Sequence, residues 1–177
     1  GNDVWDSYSV SLKHAIELYD KAQENGNTHY QGVAGIIAAF HWFYIADVYD
    51  QAPLEDAIQG LDALQPALAS QAELYAHANG LLDEAIGLLN APNQGDRVPE
   101  GDDYLLGGDM DKWIRYAYSL KARQALRLSY APGTTPAAQA DLALSYLANG
   151  MTSNDDNVMW RHLDELANAN PLFNYMN

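Results

Sequence analysis

Three sets of residues in this chain could do chemistry by type and spacing: five histidines, two clusters of acids and one basic stretch. The histidines are His14, His29, His41, His77 and His162, and the nearest two are 12 positions apart. A His-x-x-x-His metal site needs two imidazoles one helical turn apart, so that chemistry has no footing. His41 sits in an apolar stretch and reads as a core histidine, not as a catalytic base. No G-x-S-x-G elbow, phosphate-cradling glycine loop or G-x-G-x-x-G fingerprint occurs. The sequence contains no cysteine, which excludes thiolate ligands, disulfides and cysteine nucleophiles together.

The acids gather at Asp102, Asp103, Asp109 and Asp111, and again at Asp155 and Asp156 between Asn154 and Asn157. Loop carboxylates and amides can ligate calcium, but neither cluster has the glycine and terminal glutamate of a calcium loop. They read as helix caps and loop acids, and no metal ligand is assigned. Carboxylates that hydrolyse glycosides stand roughly 5–10 Å apart in space, and no pair is singled out here. No catalytic residue and no cofactor follow. A hydrolase whose carboxylates converge only in the fold is the weakest of three readings.

Five of the nine basic residues fall in one segment: Lys112, Arg115, Lys121, Arg123 and Arg127. On a helix, four of them share a stripe about 120° wide, while Lys121 falls amid Trp113, Ile114, Ala117, Leu120 and Leu128. An anion site is one reading. Ion pairing with neighbouring carboxylates is the better one, with the Lys121 stem lying along apolar surface. The chain carries 24 acidic against 9 basic side chains, a formal charge of −15. That balance also excludes sequence-independent nucleic-acid binding and docking on an anionic membrane surface.

Twelve Tyr and four Trp stand against three Phe. Such rings combine an apolar face with a polar tip, which suits stacking on sugars or lining an interface. Trp42, Trp113 and Tyr44 are expected in the core, whereas Tyr49, Tyr104 and Trp160 stand near loops and are expected at the surface.

These groups sit on helices almost throughout. Apolar spacing of three and four predicts a first helix from Asp3, closed at Asn25-Gly26. Thr28 with Gln31 offers a capping box for a second helix reaching Tyr49, apolar or small nearly all round and so expected to be the most buried. A connection containing Pro53, Gly60 and Pro66 leads to a capping box at Ser70 and Glu73 and a third helix. Residues 90–106 form a long loop of the kind that often carries function. A fourth helix is expected over 109–130, a fifth from the Thr135-Pro136 cap to before Gly150, and a short sixth over 161–167. No alternating run supports a strand. The 177 residues fit one domain (residues 1–177), all-α, built from antiparallel helical hairpins as degenerate tetratricopeptide-like repeats. The run over 28–46 is too short and mixed to span a bilayer. No signal peptide is visible; Gly1 reads as a cleavage scar from a removed tag, and the gene product is expected to extend further at both ends.

Three segments together resemble the SusD/RagB family of nutrient-binding outer-membrane lipoproteins, in particular its second SusD-like subgroup. Residues 36–53, running from Ile36 through Trp42 and Tyr49 to Pro53 and on to Gly60, resemble the family's alanine- and aromatic-rich helix with its Tyr-Gly-Asp-Val-Pro ending. Residues 73–86 resemble a following helix of Leu-Asp-Glu-Ala type. The most specific match is Gly107-Gly108-Asp109-Met110-Asp111-Lys112-Trp113, then Ser119-Leu120-Lys121-Ala122-Arg123 and Arg127-Leu128-Ser129. Asn170-Pro171 echoes a later turn. The chain departs from the pattern where Asp50-Gln51-Ala52 replaces the glycine-aspartate pair, and where Tyr118 stands in place of an asparagine.

The resemblance implies the helical-repeat part of a longer protein that binds glycans, or sometimes peptides, without catalysis. It implies a TonB-dependent, SusC-like transporter as partner, and a lipid-anchored place on the outer-membrane surface. The lipid-bearing cysteine of the family is not among these residues. Tyr49 and Asp50, after the second helix, are the expected ligand-proximal edge. The reading from another class is a helical-repeat adaptor that grips a peptide or partner helix.

Overall fold

The computed structural model describes residues 6–54, 65–160 and 162. A π-helical stretch, Ser7–Leu12, runs directly into α1, Lys13–Glu24. The further helices are α2 (Thr28–Tyr49), α3 (Gln71–Asn90), α4 (Met110–Arg127) and α5 (Pro136–Leu147). Between α2 and α3, β1 (Gln51–Pro53) pairs antiparallel with β2 (Leu68–Ser70), with Ala52 opposite Ala69.

The helix ends follow from local side chains. Ser70 and Glu73 close a capping box on α3. Asp109 caps α4 by accepting the Lys112 amide at 3.1 Å, and Thr135 caps α5 ahead of Pro136. The expected box at Thr28 does not form. Asn27 occupies the cap position of α2 and makes no side-chain cap bond, its Oδ1 being taken by the Arg97 amide at 3.1 Å. Instead Asn93, from the long loop, accepts the His29 amide at 3.1 Å and the Thr28 hydroxyl at 3.2 Å. The cap therefore comes from a tertiary neighbour. Gln31, with its turn freed, donates to Glu84 on α3 at 3.2 Å.

Successive helices pack antiparallel. Tyr8 meets Trp42 while Tyr19 meets Gly35, so α1 and α2 run in opposite directions. Trp42 meets His77 and Gly35 meets Ala85, which does the same for α2 and α3. α2 buries twelve residues and is the centre of the core. Its glycines let α3 approach: a Cβ on Gly32 would lie 2.7 Å from Leu89 Cδ2 and 3.3 Å from the Ala85 carbonyl oxygen. Leu12, Ile36, Ile45, Leu74, Leu82 and Trp113 complete the apolar interior. α2 is long and apolar enough to pass as a membrane span by composition, but most of it is buried within the fold, as suits a core helix.

Four expectations need correcting or delimiting. A short β1–β2 ladder forms where no strand is expected, because three residues are too few to show alternation. Tyr44, expected in the core, is 40% exposed, since it shares the outer stripe of α2 with Phe40 and Val48. α4 ends at Arg127 and passes into a 3-10 turn, Leu128–Tyr130. The helix start at Asp3, and the sixth helix over 161–167 apart from His162, lie outside the described residues.

Candidate functional site

The edge after α2 is built around one unusual residue. Asp50 has φ 62, and among the described residues it is the one non-glycine position with positive φ. That conformation is where the family pattern carries glycine, so the departure places a Cβ in a backbone region that L-residues avoid. Tyr49 is the last residue of α2 and 37% exposed, and Asp50 is exposed beside it. Beneath them, Gln71 donates to the Ala46 carbonyl at 2.8 Å, which satisfies one of the last carbonyls of the helix.

One turn earlier, Asp47 is a hub that sequence reading missed. It accepts a short hydrogen bond from the Tyr75 hydroxyl and pairs with Arg127 Nε at 3.0 Å, which links α2, α3 and α4. Burial, and then the hydrogen bond to Asp47, hold the Tyr75 phenol well above its usual range.

The acidic cluster of the long loop is structural. Asp103 accepts the amides of Leu105 and Leu106 on one oxygen, both at 3.1 Å. Its other oxygen takes the Gly108 amide at 3.0 Å and the Trp113 indole N–H at 2.7 Å. Asp102 accepts the Tyr30 hydroxyl at 2.6 Å, and this bond is the chief cause of its lowered pKa. Gly107 and Gly108 have φ 66 and 78, and a Cβ on Gly108 would stand 2.3 Å from the Pro99 carbonyl oxygen. The Gly-Gly-Asp of the most specific sequence segment is thus a loop closure followed by a helix cap. In the second cluster, Asp156 is buried and accepts Arg115 Nη1 at 2.6 Å, with the amides of Thr152 and Ser153 at 3.0 and 3.2 Å. These backbone and Arg115 bonds depress its pKa. Among the described residues, no three His, Asp or Glu gather as a metal site would need.

Three of the five basic residues of the segment, Arg115, Lys121 and Arg127, form ion pairs. Lys121 is 4% exposed, forms a short salt bridge with Asp83 and lies 4.9 Å from the Tyr146 ring centre. Arg115 and Arg127 are held by Asp156 and Asp47. His41 shares a hydrogen bond with Ser7 Oγ at 2.7 Å, and burial lowers its pKa. A cleft of about 540 Å³ opens beside the long loop between His29, Val98, Pro99, Glu100 and Met110. A second, of about 420 Å³, is lined by Asp111, Arg115, Tyr118 and Asn149, which puts the departing Tyr118 at a cavity wall.

Of the surface aromatics named from sequence, the structure brings two together. Tyr104 and Trp160 are 71% and 48% exposed, with ring centres 5.5 Å apart. Tyr49 stands at the far end of α2 from Tyr30, whose hydroxyl binds Asp102 beside Tyr104. The helix rises about 28 Å between those two tyrosines.

Paired antiparallel helices around an Ala-rich buried centre define a tetratricopeptide-like helical-repeat protein. The chain belongs to the second SusD-like family, described as starch-binding and associating with the outer membrane, whose profile matches residues 1–176. A SusD/RagB family protein from Bacteroides thetaiotaomicron is similar at 31% identity and TM-score 0.83, over 98% of this chain and 36% of that one. A chitin-binding protein matches at 25% identity and TM-score 0.73, over 89% of this chain and 33% of its own. A SusD homologue from Bacteroides uniformis gives 25% and 0.73, over 94% and 33%. This chain spans about a third of the length of these solved relatives. No protein of curated function matches it.

Proposed function

We propose that this chain is the helical-repeat portion of a glycan-binding surface protein that captures a nutrient oligosaccharide without altering it. It would hand that ligand to a TonB-dependent, SusC-like transporter while anchored by lipid to the outer membrane. The observation that carries this reading is the family match over residues 1–176. A chitin-binding neighbour supports a glycan over a peptide. Asp102, Asp103, Asp109 and Asp156 hold a phenol, amides, an indole and a guanidinium, which supports a structural role for them over a hydrolytic one. Tyr49 and Asp50 are proposed as a ligand-proximal edge.

Isothermal titration with oligosaccharides and with peptides, alongside product analysis by chromatography, tests the reading. Saturable binding of an oligosaccharide with no cleavage is expected, and turnover of the glycan refutes it. If Tyr49 contacts the ligand, Tyr49→Ala weakens binding by about tenfold with little change in melting. Co-purification with an outer-membrane transporter tests the partnership.

The adaptor reading has one observation in its favour. Phe40, Tyr44 and Val48 repeat at i, i+4 and i+8 along α2, and all three are exposed, as a surface that receives a helix would be. Tight binding of a peptide with no affinity for any glycan would select it.

A further inference from the structure

The Tyr104–Trp160 pair has the construction of a binding element. Two loops far apart in sequence each present one aromatic ring, and the rings meet at an interplanar angle of 63°. Large exposed rings that contact each other outside the core leave apolar area in water that neither covers.

Both loops are pinned to the same stretch of α4. On one side, the Trp113 indole donates to Asp103, the residue before Tyr104, whose carboxylate also gathers three loop amides. On the other side, Arg115 donates to buried Asp156, four positions ahead of Trp160. Trp113 and Arg115 are two residues apart, so a single helical turn fixes both supports. Rings held this way lose little freedom when a ligand arrives, which favours binding.

From this geometry we propose that Tyr104 and Trp160 form a stacking corner for one ring of an uncharged oligosaccharide. The inference rests on the glycan-binding reading above and gives it a place distinct from the Tyr49–Asp50 edge. A corner of 63° fits a pyranose that lays its C–H face on one ring and its edge against the other. Net charge selects the ligand class: although Arg161 follows Trp160 in sequence, the chain carries −15 overall, which disfavours an anionic glycan and leaves a neutral one unopposed.

The test is titration of the full-length natural protein with maltohexaose, chitohexaose and an anionic oligogalacturonate, read by tryptophan fluorescence and calorimetry. Binding of at least one neutral hexaose is expected. Trp160→Ala and Tyr104→Ala should each weaken it about tenfold with unchanged melting, and Tyr104→Phe should stay within about twofold, because the ring face and not the hydroxyl does the stacking. If both alanine variants bind like wild type, the corner is refuted while the glycan reading stands. Tighter binding of the oligogalacturonate overturns the charge selection. If no hexaose binds, the corner and the glycan reading fall together. Loss of a protein partner in place of sugar would reassign the pair to a protein interface.

Discussion

α2 and α5 are both largely apolar helices and meet opposite fates. α2 buries twelve of its residues, whereas α5 buries Ala143 alone and leaves Leu142, Leu144 and Leu147 exposed. Apolar content alone is not what separates them. α2 has helices on both sides, with glycines that admit a neighbour, while α5 packs on one side against α4 and relies on its Thr135 cap and Pro136 start. α2 is core because helices close over it from two sides, which its glycines permit on the α3 side.

The comparison is most sharply tested at its centre. Trp42→Ala should cost about 3–5 kcal/mol, read by chemical denaturation, because the indole fills space among Tyr8, His77 and the α2–α3 contact. A cost under about 1 kcal/mol would mean that α2 is not the structural centre.

The Lys121 pair should show an asymmetry. Asp83→Ala strands a buried ammonium with little beyond the Tyr146 ring and should cost about 1–3 kcal/mol. Lys121→Met removes the charge along with the need for a partner and should stay within about 1 kcal/mol of wild type. Equal losses in the two variants would contradict the ion-pair description.

Asp50→Gly should stabilise the fold by about 0.5–1 kcal/mol, since relief of the positive φ outweighs the added freedom of the unfolded chain. A lower melting temperature in that variant would show that the Asp50 side chain makes a compensating contact.

A smaller effect concerns pH. Burial lowers the His41 pKa from 6.5, so the folded state prefers the neutral ring. Its contribution is whole above pH 6.5 and declines as pH falls from there toward the depressed folded value, because the unfolded chain then binds the proton first. Melting between pH 7.5 and 5.5 should drop by about 1–3 °C more for wild type than for His41→Gln. The smallest change belongs to α5: Leu144→Ser should move stability by no more than about 0.5 kcal/mol.

Much of the helical order was legible because its signals are local. The Ser70–Glu73 box, the Asp109 and Thr135 caps and the Gly26 stop each act within four residues. The family segments were legible for the same reason, Gly107-Gly108-Asp109 being a turn and cap in direct succession. What escaped depends on residues far apart in the chain. Thr28 looked like a cap because its competitor, Asn93, arrives from another loop. Tyr44 looked buried because an all-apolar helix does not reveal which stripe lacks a neighbour. The pairing of Tyr104 with Trp160, and the Asp47 hub with Tyr75 and Arg127, needed the fold itself. The two tyrosines singled out near loops, Tyr49 and Tyr104, gave no hint in sequence that they belong to different ends of the molecule.

Asn93 carries one more consequence. The His29 amide is held by a side chain of the long loop and not by an earlier turn of its own helix. Deuterium uptake at that single position therefore gauges whether the loop is seated, independently of helix melting. A ligand that tightens the loop would slow that exchange before any wider conformational change became measurable.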